Sequence, residues 1–242
     1  MNKNVKIITA NLHNGIIKPS ITIQEIIELV DTNHLVILKG LYSESEMDEL
    51  RESVFKWGTA EPVATVDDFR GNYHMKKAKI SNFQQSPHVF HDYNFNNFNT
   101  LQDSLRNKLY LTFDSLRIFY NQLTDNSLDF GFIEGEPYLH PQLIQYPNGG
   151  GFFGRHNHNL LPQKVGFILS LSKFERDFTC GGTNFVIDNE VINLEGIQDI
   201  GDLVLWKNDL DHWVSQTALD DWFSWDSPKG RWVATLAYFN PF

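Results

Sequence analysis

The chain has 242 residues, and 20 Lys and Arg against 30 Asp and Glu leave a formal charge of −10 with neutral histidine. Such an acidic balance argues against nucleic-acid and anionic-membrane partners, because phosphate attracts basic faces. A 41% hydrophobic share with 19 Phe and 6 Trp supplies a sizeable core, and the length suits a single domain over residues 1–242.

One cysteine, Cys180, rules out an intrachain disulfide and a thiolate zinc site, and suits a reducing compartment. In "TCGGTNF" it reads as a small strand residue. The opening "MNKNVKIITANLHNG" has too short an apolar run for a signal peptide, and no stretch approaches a membrane span. A cytoplasmic location is the expectation.

In chain order, "ITIQEIIELVDTN" has helical spacing, and "HLVILKG" reads as a buried strand closed by Gly40. "YSESEMDELRESVFKWG" carries a capping box, Ser43 with Glu46, then Met47, Leu50, Val54 and Trp57 on one face, with Gly58 as its end. Residues 81–100 read as a long ordered loop. From Asn97 to Leu123, Leu101, Leu105, Leu109, Phe113, Leu116 and Tyr120 recur every three or four positions, which predicts a long amphipathic helix.

The back half changes period. "YLHPQLIQYP", "GGFFGRHNH", "KVGFILSLS", "GTNFVID", "GDLVLWK", "DHWVSQ" and "GRWVATLAYF" are strand-like runs split by turn residues. The expectation is a mainly β fold, a sandwich or barrel with flanking helices. Residues 1–137 form a helical front with cover segments, and residues 138–242 form the β core.

Chemistry concentrates in that core. On a strand, His156 and His158 at i and i+2 share one face, and His212 follows another predicted strand. Three protein ligands on one face of a metal leave its other positions open, while an arginine deeper in a barrel can grip a carboxylate. His156, His158, His212 and Arg231 meet this plan in order.

These segments together resemble the iron(II)- and 2-oxoglutarate-dependent dioxygenases, in particular the prolyl hydroxylase-like and phytanoyl-CoA hydroxylase-like branch. The resemblance covers residues 138–240. It is carried by "QLIQYPNGGGF", "HNH", "CGGTNFV", "GDLVLWKNDLDHWV" and "GRWVATLAYFN", with "HLVILKGLYSESEMDELRESV" similar to the family's front segment. It implies a double-stranded β-helix (a cupin-like jelly roll) that uses Fe(II), 2-oxoglutarate and O2. The co-substrate is decarboxylated to succinate, and an unactivated carbon of the substrate is oxidised. By the same resemblance His156 and His212 are metal ligands and Arg231 anchors the far carboxylate of 2-oxoglutarate. Tyr146 and Gln142, both even-numbered on the preceding strand, can share that interior and bond the co-substrate.

The sequence departs from the family at one position. The motif is His-x-Asp/Glu, and here His158 stands at the carboxylate, which makes the metal site one charge less negative. His158 is then a third ligand, or turns away to leave water or an anion, as in related halogenases. A third option is a cupin-type dioxygenase that does not use 2-oxoglutarate, against which Arg231 speaks. A jelly-roll binding domain without turnover is the alternative of another class. The expected function is hydroxylation of a small polar molecule, such as an amino acid or natural-product intermediate. Arg155 should face outward to a surface or subunit contact, which leaves a homodimer open. Asp209 or Asp211 would orient His212 or solvate a turn. The cluster His88, His91 and Asp92 matches no ligand spacing, although His88 and His91 are placed to meet substrate. "DDWFSWDSPKG" reads as an exposed insertion near the mouth of the site.

Overall fold

The computed structural model describes residues 2–79 and 86–240. Its elements, in order, are β1 (Val5–His13), β2 (Ile16–Pro19), α1 (Ile23–Asp31), β3 (Leu35–Lys39), α2 (Glu44–Ala60), β4 (Asn72–Lys79), β5 (His88–Phe95), α3 (Asp103–Thr124) and β6 (Tyr138–Pro147). They continue with β7 (Phe152–His156), β8 (Val165–Ser170), β9 (Gly182–Ile187), β10 (Glu190–Asn193), β11 (Leu203–Lys207), β12 (His212–Ser215) and β13 (Gly230–Phe239). Among the described residues no helix is long and apolar enough to cross a membrane.

The strands form one hydrogen-bonded path, β2-β1-β3-β11-β8-β13-β6-β5-β7-β12-β9-β10, with β4 on the other edge of β5. β5 exchanges partners along its length. His91–Asn94 pair with β6, whereas His88 and Val89 pair with Phe153 and Phe152 of β7. At that exchange the path folds over, so β6, β13 and β8 face β7, β12 and β9 across the interior. This is the jelly roll expected from the sequence, with helices on one outer face.

Side-chain parity builds the layers, because alternate strand residues point to opposite faces. On β13, Trp232, Ala234 and Leu236 join the helix-side core with Leu105, Leu109 and Phe113 of α3. Arg231, Val233 and Thr235 take the opposite face and line a cavity between the sheets. β11 divides in the same way, with Leu203 and Leu205 toward the helices and Val204 and Trp206 inward.

The structure corrects several boundaries. α2 does not end at Gly58 but runs to Ala60; a Cβ on Gly58 would sit 2.6 Å from the Tyr93 ring, so the glycine serves packing inside the helix. α3 begins at Asp103, after a short 3-10 turn at Phe98–Thr100. Residues 88–95 are a strand rather than a loop, and residues 81–85 lie outside the described residues. β10 was not foreseen; it closes a hairpin on β9 through Asp188 and Asn189, both at positive φ. Cys180 is exposed in the turn before β9, not in the strand.

Candidate functional site

His156 ends β7 and His212 opens β12, and the antiparallel pairing sets them directly opposite each other. Their ring centroids are 4.3 Å apart. Between His212 and Val214 the register shifts, because β12 advances two residues while β7 advances three, from Phe153 to His156. The extra residue falls at Gly154–Arg155. Gly154 donates its N–H to the Pro87 carbonyl at 2.7 Å, and a Cβ there would lie 2.8 Å from the Pro87 ring.

His158 lies beyond the end of β7, so the expectation that it shares a strand face with His156 is wrong in its cause. A loop returns it instead. Its backbone N–H donates to the Asn208 carbonyl, and its ring centroid lies 5.0 Å from that of His156 and 5.2 Å from that of His212. One ring nitrogen from each of the three histidines lies within 4.8 Å of the others.

The tautomers follow from the neighbours. Nδ1 of His156 lies 2.8 Å from the Gly154 carbonyl, and Nδ1 of His212 lies 2.8 Å from the Leu210 carbonyl. A carbonyl only accepts, so both Nδ1 atoms carry the proton and both Nε2 atoms keep a lone pair. Burial, followed by the neighbouring His156, depresses His212 to about 3. Desolvation of its ring against the other two imidazoles, although the residue as a whole is exposed, and then His156 hold His158 at about 4, and burial lowers His156. All three imidazoles are neutral at neutral pH, the form that binds a metal.

Asp211 does not orient His212, whose Nδ1 proton goes to a backbone carbonyl. It instead accepts from Arg155 Nε and Nη2 at 3.0 and 2.6 Å, and from Asn157 Nδ2 at 2.7 Å. This outer staple ties the residues flanking His156 and His158 to the residue flanking His212. Asp209 lies 3.7 Å from Lys207.

Behind the histidines lies a cavity of about 190 Å³, below the roughly 300–1,000 Å³ of drug-sized pockets. Gln142, Tyr146, Thr183, Trp206 and Arg231 line it together with the three histidines. Gln142 and Tyr146 therefore share the predicted interior. The Gln142 amide N–H is committed to Asn94 Oδ1 at 2.8 Å. Burial raises the Tyr146 hydroxyl well above its ordinary range, which keeps it protonated. Arg231 is Tyr146's cross-strand partner, with its guanidinium carbon 5.9 Å from the ring centre.

Arg231 is only 2% exposed. Its Nε donates to Glu195 Oε1 at 3.0 Å and its Nη2 to Thr183 Oγ1 at 2.6 Å, while buried Nη1 has no partner. Trp206 Nε1 is a second buried donor without a partner, on an indole 5.4 Å from the His212 ring. A buried donor left unpaired costs about 1–3 kcal/mol, so the cavity is built to receive an acceptor. Sequence reasoning missed Thr183 and Trp206 as parts of this wall, and Glu195 as the partner of Arg231.

A second cavity, of about 560 Å³, opens on the other side of His156 and His158. Lys76, Lys77, Lys79, Ser86 and His88 are among its lining residues. Lys77 pairs with buried Asp92 at 2.8 Å and Lys76 with Asp226 of the exposed insertion at 3.0 Å. His88 thus meets this space. His91 turns to the other face of β5, where it bonds His74 and Tyr93.

No protein-family model matches the chain, and no curated protein matches it. Solved structures do. A prolyl-4-hydroxylase of Pseudomonas putida aligns over 90% of this chain and 98% of its own, with TM-score 0.57 and 13% identity. A prolyl hydroxylase from Trichoplax adhaerens, solved with a hypoxia inducible factor peptide fragment, aligns over 90% and 91%, with TM-score 0.55 and 14% identity. A full-length protein of Neurospora crassa, solved in complex with alpha-KG, aligns over 89% and 78%, with TM-score 0.56 and 14% identity. The chain therefore has the jelly-roll fold of the prolyl hydroxylases and 2OG-Fe(II) oxygenases, and its interior carries a three-histidine cluster.

Proposed function

We propose that the chain is an iron(II)- and 2-oxoglutarate-dependent oxygenase that hydroxylates a small polar molecule from a three-histidine site. The observation that carries this reading is the partnerless Nη1 of buried Arg231, in the same small cavity as three neutral imidazoles. His156, His158 and His212 would hold the metal. Arg231 Nη1, with Tyr146 beside it, would hold the far carboxylate of 2-oxoglutarate through a charge-assisted bond. When bound, the iron and 2-oxoglutarate supply, with dioxygen, an oxidant able to remove hydrogen from an unactivated carbon.

The protein's own residues divide the work. Gly154 and Leu210 carbonyls fix the rings of His156 and His212, a common way to orient metal-binding imidazoles. Phe153, stacked 4.0 Å from the His156 ring, and Trp206, 5.4 Å from the His212 ring, cover one side of those two imidazoles. The second cavity, on the far side of His156 and His158, has polar walls that suit a polar substrate. A second reading, in which His158 leaves the third position to water or an anion, draws support from that residue's exposure.

Anaerobic titration with iron(II) and 2-oxoglutarate tests the proposal through the charge-transfer absorption of the chelated keto-acid. The parent protein should develop the band, and Arg231→Met should lose it while retaining metal affinity. A band that persists in His158→Ala would favour the second reading. Oxygen uptake without any dependence on 2-oxoglutarate would replace the proposal with the cupin-type alternative.

A further inference from the structure

Arg231 does not stand alone in the cavity wall. Glu195, its ion-pair partner, has a side chain only 6% exposed and follows β10 in a turn. The same Oε1 that accepts from Arg231 also accepts from Gln198 Nε2 at 2.6 Å and from the Thr183 backbone N–H at 3.4 Å. Gly182 makes this possible: it sits at φ +99°, and a Cβ there would lie 1.8 Å from Glu195 Cγ. The carboxylate is thus held against the Nε edge of the guanidinium, leaving Nη1 for a ligand.

The charges in this interior can be matched to its ligand. A divalent metal held by three neutral imidazoles contributes two positive charges. Arg231 and Glu195 cancel each other, so a doubly negative keto-diacid brings the closed site to neutrality. Without Glu195, the iron-loaded site would carry one more positive charge before the keto-diacid enters and one unbalanced positive charge after it. The dianion would then be held more tightly, but the filled site would not be neutral.

Building on the function proposed above, we propose that Glu195 is the charge-balancing and positioning residue of the co-substrate site. It orients Arg231 and offsets at the arginine end the carboxylate that the histidine cluster lacks. Glu195 and His158 then form an electrostatic pair across the bound co-substrate: changing the charge at one is countered by the opposite change at the other.

The test measures 2-oxoglutarate binding to the full chain loaded anaerobically with iron(II), by calorimetry and by the charge-transfer band. Glu195→Gln keeps an acceptor for Arg231 Nε but removes the charge, and should tighten binding on the order of tenfold. Glu195→Asp, which keeps the charge, should stay near the parent. His158→Asp should weaken binding by a similar factor, and the double variant His158→Asp/Glu195→Gln should return to within about threefold of the parent. Because residue 158 is exposed, His158→Asp carries the test even where substitution of buried Glu195 unfolds the protein. A Glu195→Gln protein that is folded yet binds 2-oxoglutarate no more tightly, or a His158→Asp protein that binds it no more weakly, overturns the proposal and leaves an ordinary structural ion pair. Failure of the parent itself to bind iron and 2-oxoglutarate would instead overturn the functional reading.

Discussion

His156 and His212 are directly opposed cross-strand neighbours, each donating its Nδ1 proton to the carbonyl two residues before it. Backbone pairing and self-made hydrogen bonds fix both rings before any ligand arrives, whereas the ring of His158 hangs from a loop. The three histidines should therefore contribute unequally. His156→Ala and His212→Ala should each lower metal affinity by more than the roughly 10–100-fold typical of losing a supporting partner. His158→Ala should cost less than either. Titration with cobalt(II), followed by its ligand-field absorption, checks the order; equal losses at all three positions would contradict it.

The staple of Arg155, Asp211 and Asn157 lies on the outer face, between the histidine-bearing segments. Arg155 is more than half exposed, so the ion pair adds under about 1 kcal/mol to stability. Its influence should instead fall on the geometry of the cluster. Asp211→Ala is expected to reduce metal affinity about tenfold with little change in the urea midpoint. A large loss of stability with unchanged metal affinity would mean that the staple only braces the sheet.

Much of this arrangement is legible in the residues. Period-two alternation in "GRWVATLAYF" separates Arg231, Val233 and Thr235 from Trp232, Ala234 and Leu236, and the structure puts the two sets on opposite faces. The even-number argument for Gln142 and Tyr146 holds for the same reason. β5 was illegible because both its faces are buried and both are polar in part: His88, Asp92 and Asn94 alternate with His91 and Tyr93, so no apolar period appears. His158 was brought to the cluster by a loop rather than by strand geometry. Glu195 was hidden for a different reason. It sits 36 positions from Arg231 in a turn, and only the folded hairpin of β9 and β10 carries it there. Thr183 did leave a signal, since it opens a predicted strand beside two glycines.

Two histidines outside the cluster make stability depend on pH. Burial, and then His74, depresses His91 to about 3, and burial depresses His140 to about 4. In the unfolded chain both titrate near 6.5. Below that pH the unfolded chain takes up protons that the folded chain refuses, so stability is complete above about pH 6.5 and declines as the pH falls toward the folded values. Each histidine contributes up to about 1.4 kcal/mol per pH unit within that window. Urea unfolding at pH 7.5, 6 and 5 should give falling midpoints, with a shallower fall in His91→Gln. An unchanged midpoint across that range would mean that neither group is protected.

Tyr146 offers the most economical test of how the cavity divides its work. It pairs across the strands with Arg231, is buried in the wall of the cavity and keeps its hydroxyl proton. A hydrogen bond to a charged group contributes about 1.5–3 kcal/mol. If the phenol donates to the co-substrate carboxylate beside Arg231, Tyr146→Phe should raise the KM for 2-oxoglutarate about ten- to a hundredfold. The value of kcat should stay near that of the parent, because the bond is made equally before and during reaction. The ring remains in place, so its packing with Phe90 is retained. Steady-state succinate formation at varied 2-oxoglutarate separates the two parameters. A fall in kcat at constant KM would move Tyr146 from holding the co-substrate to the reacting end of the cavity.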